Sequence, residues 1–336
     1  MRESPVTPSV SIIVPVRNRA AMLRDLLESL VAQAYPPERL EVIVVDGDSS
    51  DPIAAIVAEF DARAGFPLRC LRVEDDRGPV SKRNLGARTA ASEIFAFTDS
   101  DCRATPGWIA ALVAAFAAPT IGFVSGPVTY KSEQPRTFFS KLTAETLVEH
   151  PTYPTANIAY RRGTFLAANG FDETLAVKDF LGRATECGDT DLAWRIRKAG
   201  WSNAFAADAL ILHEVEQLSP VQWLVEPTRL ILLPLLLRLH PELAPQLLRW
   251  NLVFYPGTLA VYAVLAVGLL LLVFEPRLLP LAFVAGLVAI WTWKIRSASP
   301  RRIVAVFRDA AFHFARMGVM AATLVVGSLR YGRIVV

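Results

Sequence analysis

The chain has 336 residues, 53% of them hydrophobic, with a formal net charge of +3. That length fits roughly two domains, and so mild a positive charge, with no long basic stripe, excludes a nucleic-acid partner. The mean hydropathy of +0.35 is high for a soluble enzyme. Its excess lies after about residue 220, where Leu and Val dominate and acids are few, which predicts a soluble domain followed by a membrane-associated region. The three cysteines, Cys70, Cys102 and Cys187, have neither disulfide-framework nor metal-ligand spacing and suit a reducing compartment. Residues 1–8 are short and polar and lack an apolar signal core, which argues against export of the first domain.

In chain order, residues 10–16 are apolar and β-branched and read as a buried strand. Arg17-Asn18-Arg19 follows, then a helical pattern carrying Leu23, Leu26, Leu27 and Leu30, broken at Tyr35-Pro36-Pro37. Residues 41–45 form a second strand ending in Asp46-Gly47-Asp48, and 53–60 a second helix. Residues 68–73 read as a third strand, 79–90 as a helix opened by Gly78-Pro79, and 94–97 as a fourth strand. This alternation implies a mostly parallel sheet with helices on both faces, whose ligands bind beyond the carboxyl ends of the strands. Arg17-Asn18, Asp46 and Asp99/Asp101 all fall at those ends. Asp99 and Asp101, two apart after an apolar run, project to one face of an extended segment and repel unless a cation sits between them. Magnesium or manganese with oxygen ligands suits that place and would in turn bind a diphosphate.

Further on, 108–116 reads as a helix, 122–129 as a strand, 138–149 as a helix, 153–160 as extended and 164–168 as a short helix. Residues 190–198 form a helix ended by Gly200, and 205–212 a final strand leading into His213.

Five pieces resemble the family 2 glycosyltransferases in content and order: residues 11–18 (SIIVPVRN), 44–51 (VVDGDSSD), 83–86 (RNLG), 99–101 (DSD) and 188–195 (GDTDLAWR). The resemblance covers roughly residues 8–215. It implies an α/β fold, the GT-A nucleotide-sugar-binding fold, with a mostly parallel sheet and a Rossmann-like first half, followed here by a C-terminal α-helical membrane region. It also implies that Pro15, Val16, Arg17, Asn18, Asp46, Lys82, Arg83, Asp99 and Ser100 bind the nucleotide sugar. Asp99, Asp101 and His213 would hold a divalent metal, Mn2+ or Mg2+. Asp189 matches the catalytic base, and Asn157, Arg161, Arg162 and Asp191 the acceptor and sugar side. Two departures stand out. The family often has one acid in the loop where this chain has both Asp46 and Asp48, and Gly188 replaces the Glu that usually precedes the base, which makes Glu186 a rival base. Nearby cations are expected to keep Asp189 ionised, and its place before a helix suits an N-cap.

Beyond residue 215 the expected order is interfacial amphipathic helices over 216–250 and a membrane region over 251–336. Residues 252–274 are long enough to span a bilayer, 278–293 form a shorter second span, and 304–329 offer a third that carries Arg308, Asp309, His313 and Arg316, charges costly in lipid. Basic flanks on both sides of the first two spans place those flanks, and the catalytic domain, in the cytosol at the inner membrane.

The expected activity is inverting transfer from a nucleotide-diphosphate sugar, UDP-linked in the leading reading, to a lipid-linked, polyprenyl-type acceptor in polysaccharide or envelope-glycan assembly. The layout resembles succinoglycan-type transferases. The alternatives are a non-catalytic nucleotide-sugar-binding relative, which Gly188 favours, and a processive polysaccharide synthase, against which stands the expectation of only about two spans, too few for a pore.

Overall fold

The computed structural model describes residues 7–143, 145–178, 182, 184–278 and 303–336. They divide into two compact units, the first made of the chain up to 136 with 142–178 and 184–216, the second of 137–141, 179–183 and 217–336.

The first unit opens with β1 (Val10–Val16), α1 (Ala20–Val31), β2 (Leu40–Asp46), α2 (Ile53–Ala64), β3 (Leu68–Arg72), α3 (Pro79–Thr89) and β4 (Ile94–Phe97). Every residue of β1 and β4 is buried, as strands covered on both faces require. Helix α1 turns Leu23, Leu26, Leu27 and Leu30 inward, and α2 buries Ile53, Ile56, Val57 and Phe60 before Gly65, at φ 73°, stops it in a left-handed turn. The chain continues through β5 (Cys102–Ala104), α4 (Trp108–Ala114), β6 (Ile121–Ser125) and β7 (Val128–Tyr130); β8 (Ser140–Lys141) belongs to the second unit. Then come β9 (Ile158–Arg161), α5 (Arg162–Ala167), the hairpin strands β10 (Ala176–Lys178) and β11 (Ala184–Glu186), α6 (Gly188–Lys198), β12 (Ser202–Phe205) and β13 (Ile211–His213).

The main sheet runs β12-β6-β9-β4-β1-β2-β3, parallel except for β9, which is antiparallel to both neighbours. Register decides what meets at its carboxyl edge. Val16 pairs with Asp46, and Ile13 with Phe97 at the end of β4, so the segments after β1, β2 and β4 leave the sheet side by side. A second sheet, β5-β13-β7, pairs His213 with Cys102 and brings it next to Asp101.

The α/β architecture with a mostly parallel sheet is as expected, and several boundaries differ. The residues 122–129 form two strands, β6 and β7, in different sheets. Likewise the single strand expected over 205–212 is split between β12 and β13, because Asp208 and Leu210 turn the chain from one sheet to the other. Among the described residues 138–149 hold no helix. Thr146 instead exchanges two backbone hydrogen bonds with Val128 at 2.9 Å.

The second unit contains α7 (Pro220–Val225), a 3-10 segment (Glu226–Leu232), α8 (Leu233–Leu239), α9 (Ala244–Leu247), α10 (Pro256–Phe274) and α11 (Ile303–Tyr331). Three of its described stretches, Pro220–Leu239, Pro256–Phe274 and Arg308–Tyr331, are long and apolar enough to cross a membrane. The second expected span, 278–293, lies outside the described residues except at its first position. Among the charges of α11, Arg308 pairs with Asp309 at 2.8 Å and Arg316 with the buried Glu226 at 2.5 Å, its guanidinium 4.5 Å from the centre of the Trp223 ring. Pairing of this kind lowers the cost of taking charges out of water.

Candidate active site

The acids after β4 are not bare. Asp99 Oδ1 accepts a hydrogen bond from the buried Arg83 of α3 at 2.6 Å. Burial opposes its ionisation, but the Arg83 guanidinium, with Arg19 nearby, outweighs that and holds Asp99 below the usual carboxylate range. Asp101 Oδ2 is paired with Arg19, which sits just before α1. Asp101 Oδ1 is buried with no hydrogen-bond partner, and His213 Nε2 lies 3.7 Å from it.

The residue after His213 ties these two groups together. The Glu214 N–H donates to the Asp101 carbonyl at 2.9 Å, and the Glu214 carbonyl lies 2.8 Å from His213 Nδ1. A carbonyl only accepts, so Nδ1 carries a proton, and in the neutral imidazole Nε2 then offers its lone pair toward Asp101. The Glu214 side chain is fixed in turn by Lys131 at 2.8 Å and by Gln134. An unpartnered carboxylate oxygen facing an imidazole lone pair fits a divalent cation taking oxygen and nitrogen ligands. Asp101, Cys102 and His213 are also close enough together to share one ion. Burial, followed by the charges of Asp101 and Asp99, pushes the Cys102 thiol far up, so it stays a neutral part of the core. Asp99, expected as a ligand, is turned to Arg83 instead.

A cationic wall faces these acids. Lys82, 4% exposed, donates to Asp76 at 2.6 Å, and Arg17 lies 3.4 Å from the same carboxylate. A Cβ on Gly47 would sit 2.4 Å from Asp76 Oδ2 and 2.6 Å from Lys82 Nζ, so a larger residue where the loop after β2 meets this pair would push their side chains aside. Arg83 Nε is buried without a partner, which leaves a fixed N–H for an anion. Asp46, 1% exposed, accepts from the Ser49 N–H at 3.1 Å and from Arg72 at 3.2 Å. The second acid of that loop, Asp48, has φ 51° and pairs with Arg72 at 2.5 Å, which accounts for it. Asn18, at φ 49°, accepts from the Ser50 N–H at 2.8 Å and so clips the loops after β1 and β2 together. Pro15 and Val16 are buried in β1 and Ser100 is buried after β4; they shape the crevice through backbone. Arg19 and Asp76, in loops, and Arg72, at the end of β3, escaped the sequence reading because lone charges carry no spacing signal.

Asp189 is in the first turn of α6, after Gly188, and its Oδ1 accepts from the Thr190 N–H at 2.8 Å. The cap position belongs to Cys187, with no side-chain cap bond, so the expected N-cap role does not appear. Nor do the cations prevail: burial raises the Asp189 pKa, Asp99 adds to this, and the Thr190 N–H and Arg83 offset it in part. A buried carboxyl beside Arg83 and a second acid, its pKa raised, is a candidate proton acceptor. Glu186, at the end of β11, accepts from the Val80 N–H at the head of α3 at 3.3 Å, while its Oε1 is buried and unpartnered. Burial, then Asp189, pushes Glu186 up to about 7, with Arg83 acting against them. A Cβ on Gly78, at φ 104°, would come within 2.4 Å of that oxygen.

The acceptor-side expectations fare worse. Asn157 is fully buried and spent on the core: it accepts from Trp108 Nε1 at 2.8 Å and donates to the Pro127 and Ala209 carbonyls at 2.9 and 2.6 Å. Arg161 donates to the Ile121, Phe116 and Ala118 carbonyls, fastening β9 to the end of α4. Arg162 is exposed at the start of α5. Asp191 holds Arg195 at 2.7 Å, which donates to the Ala168 and Gly170 carbonyls. Asn157, Arg161 and Arg195 thus serve backbone carbonyls, as buried polar groups usually must.

Residues 11–171 match the family described as Glycosyl transferase family 2. The chain is 28% identical over 218 residues to a pre-mycofactocin glycosyltransferase of Mycobacterium tuberculosis, an alignment covering 61% of this chain and 42% of that relative's length. It is 27% identical over 213 residues to the glycosyltransferase AglE of Haloferax volcanii, covering 61% of this chain and 67% of that one. Its fold is similar to that of the mannosyltransferase PcManGT from Pyrobaculum calidifontis, solved with GDP-Man and Mn2+, with a TM-score of 0.58 and 21% identity over 97% of this chain and 88% of that one. Residues 11–171 thus carry a glycosyltransferase family 2 domain, in an α/β GT-A fold.

Proposed function

We propose that the protein is an inverting glycosyltransferase that uses a nucleotide-diphosphate sugar and a divalent ion, and acts at a membrane. The observation that carries this reading is the meeting, at one sheet edge, of the Asp101–His213 pair, the cations Arg83 and Lys82, and the raised carboxyl of Asp189. A nearby fold, PcManGT, was solved with GDP-Man and Mn2+, which supports the same ligand classes here.

In this reading Asp101 and His213 hold the ion, and Arg83 and Lys82 hold the diphosphate oxygens. The ion would supply charge neutralisation to the departing diphosphate. Asp46 and the loop after β2 face the nucleoside. Asp189 accepts the proton of an acceptor hydroxyl as its oxygen bonds to the anomeric carbon. The bond from that carbon to the phosphate oxygen breaks on the opposite face, inverting the centre. The apolar helices of the second unit favour a lipid-linked acceptor in glycan assembly, with the first unit on the cytosolic side.

The test is a screen of UDP- and GDP-sugars for nucleotide release by the full chain in detergent with a membrane lipid extract. Asp189→Asn should lower turnover about a hundredfold or more while donor binding stays within about twofold. Since burial raises the Asp189 pKa, wild-type turnover should fall on acidification at a higher pH than an exposed aspartate would give. Near-normal turnover in Asp189→Asn with loss in Glu186→Gln would move the base to Glu186.

A further inference from the structure

The two acids after β4 and the two arginines that hold them make a charge-balanced set. Asp99 is paired with Arg83 and Asp101 with Arg19. A lone divalent ion therefore enters a site whose negative charge is already neutralised, and at Asp101 it meets a guanidinium on the same carboxylate. Like charges that close repel strongly where water is scarce. A diphosphate changes this balance, because it brings negative charge enough for both the ion and a displaced arginine.

The two arginines differ in freedom. The Arg83 side chain is 7% exposed and rooted in the middle of α3. The Arg19 side chain is 40% exposed, belongs to the residue just before α1, and among the described residues its guanidinium hydrogen-bonds only to Asp101. Burial lowers the pKa of Arg19, but Asp101 and Asp99 more than compensate, so the charge is permanent. Only its position can change.

We propose that Arg19 is a resident counter-ion of Asp101 that makes binding of the divalent ion conditional on the diphosphate. Before the donor arrives, Arg19 occupies Asp101 and keeps the ion's affinity low. When ion and diphosphate enter together, the ion takes the Asp101 carboxylate and Arg19 transfers to phosphate oxygens, which its planar fork suits. The ion and the donor thus bind as a linked pair, and Arg19 is the residue that couples them. This rests on the ion-and-diphosphate reading above.

The coupling is reciprocal: whatever factor the diphosphate adds to ion affinity, the ion adds to diphosphate affinity. Mn2+ binding to the full chain in detergent, followed by electron paramagnetic resonance with no nucleotide, with UDP and with GDP, tests it. Wild-type protein should bind Mn2+ weakly alone and about tenfold or more tighter with the matching diphosphate. Arg19→Gln should bind Mn2+ alone about tenfold tighter than wild type, and the gain from the diphosphate should shrink by a similar factor. Unchanged or weaker Mn2+ binding by Arg19→Gln overturns the proposal, the weaker case making Arg19 a group that orients Asp101. Asp101→Asn separates the two layers. If it binds Mn2+ like wild type, the ion site itself is misassigned; if it loses Mn2+ while Arg19→Gln is unchanged, only the role of Arg19 falls.

Discussion

Glu186→Gln should flatten the pH dependence of stability. In the folded chain the Glu186 carboxyl is pushed from 4.5 up to about 7, chiefly by burial. The folded state therefore holds this proton more tightly than the unfolded state does. The stabilisation is fully present below about 4.5, and it is lost as pH rises through about 7. A displacement of that size is worth about 3 kcal/mol at about 1.4 kcal/mol per pH unit, a large share of the usual stability of a domain. Glutamine keeps a carbonyl for the Val80 N–H. Its amide also faces the enclosed spot where Oε1 has no partner, which costs about 1–3 kcal/mol at every pH. The absolute level of the variant is thus offset, and the informative quantity is how its difference from wild type changes with pH. Pulse proteolysis in urea, on the full chain in detergent, reads this from pH 4.5 to 8.5. Relative to wild type, the variant should gain about 3 kcal/mol between the two ends. Asp189, also raised by burial, leaves a residual slope of the same sign in both proteins. Parallel profiles for the two proteins would show that Glu186 is not held protonated and that the enclosure by Gly78 and Val80 has been misread.

Chelation should abolish donor binding, and Mn2+ or Mg2+ should restore it, because Asp101 Oδ1 and His213 Nε2 otherwise have no shared partner; full nucleotide-sugar affinity in excess chelator would refute the ion site. Glu275 follows the last residue of α10, and under the proposed topology, with the basic flanks of the first two spans in the cytosol, it faces outside the cell. A cysteine there should react with an impermeant maleimide on intact cells, whereas labelling at Ser4→Cys instead would invert the topology.

Much of the fold was legible because its signals are local. Short β-branched runs between leucine-faced helices describe a parallel sheet wherever they occur, and β1 to β4 fall within a residue or two of expectation. The failures came where a segment's partner is remote. Residues 138–149 have helix-like spacing, yet Thr146 finds a strand partner in Val128. One apolar run after Trp201 serves two sheets, a division that only the crossing of β13 between β5 and β7 enforces. The charges of α11 looked too costly for an apolar helix because Glu226, which pairs with Arg316, lies 90 residues earlier.

The candidate site divides along the same line. Its acids could be found because strands end where apolar runs end, and a parallel sheet gathers those ends whatever follows. Their counter-ions could not. Arg19 reaches Asp101 across 82 positions and Arg72 reaches Asp46 across 26, and no periodicity relates such pairs. The misplaced residues fail for a complementary reason. Asn157 and Arg161 sit at the two ends of a strand wedged antiparallel between β4 and β6, where loop carbonyls come within reach of their N–H groups. A polar side chain there is consumed by those carbonyls before any ligand arrives. An acid at the open edge of the sheet and an amide at its seam look alike in sequence. They differ in whether the side chain is already spent on its neighbours, and it is that difference, more than residue type, that leaves Asp101 an oxygen to offer and Asn157 none.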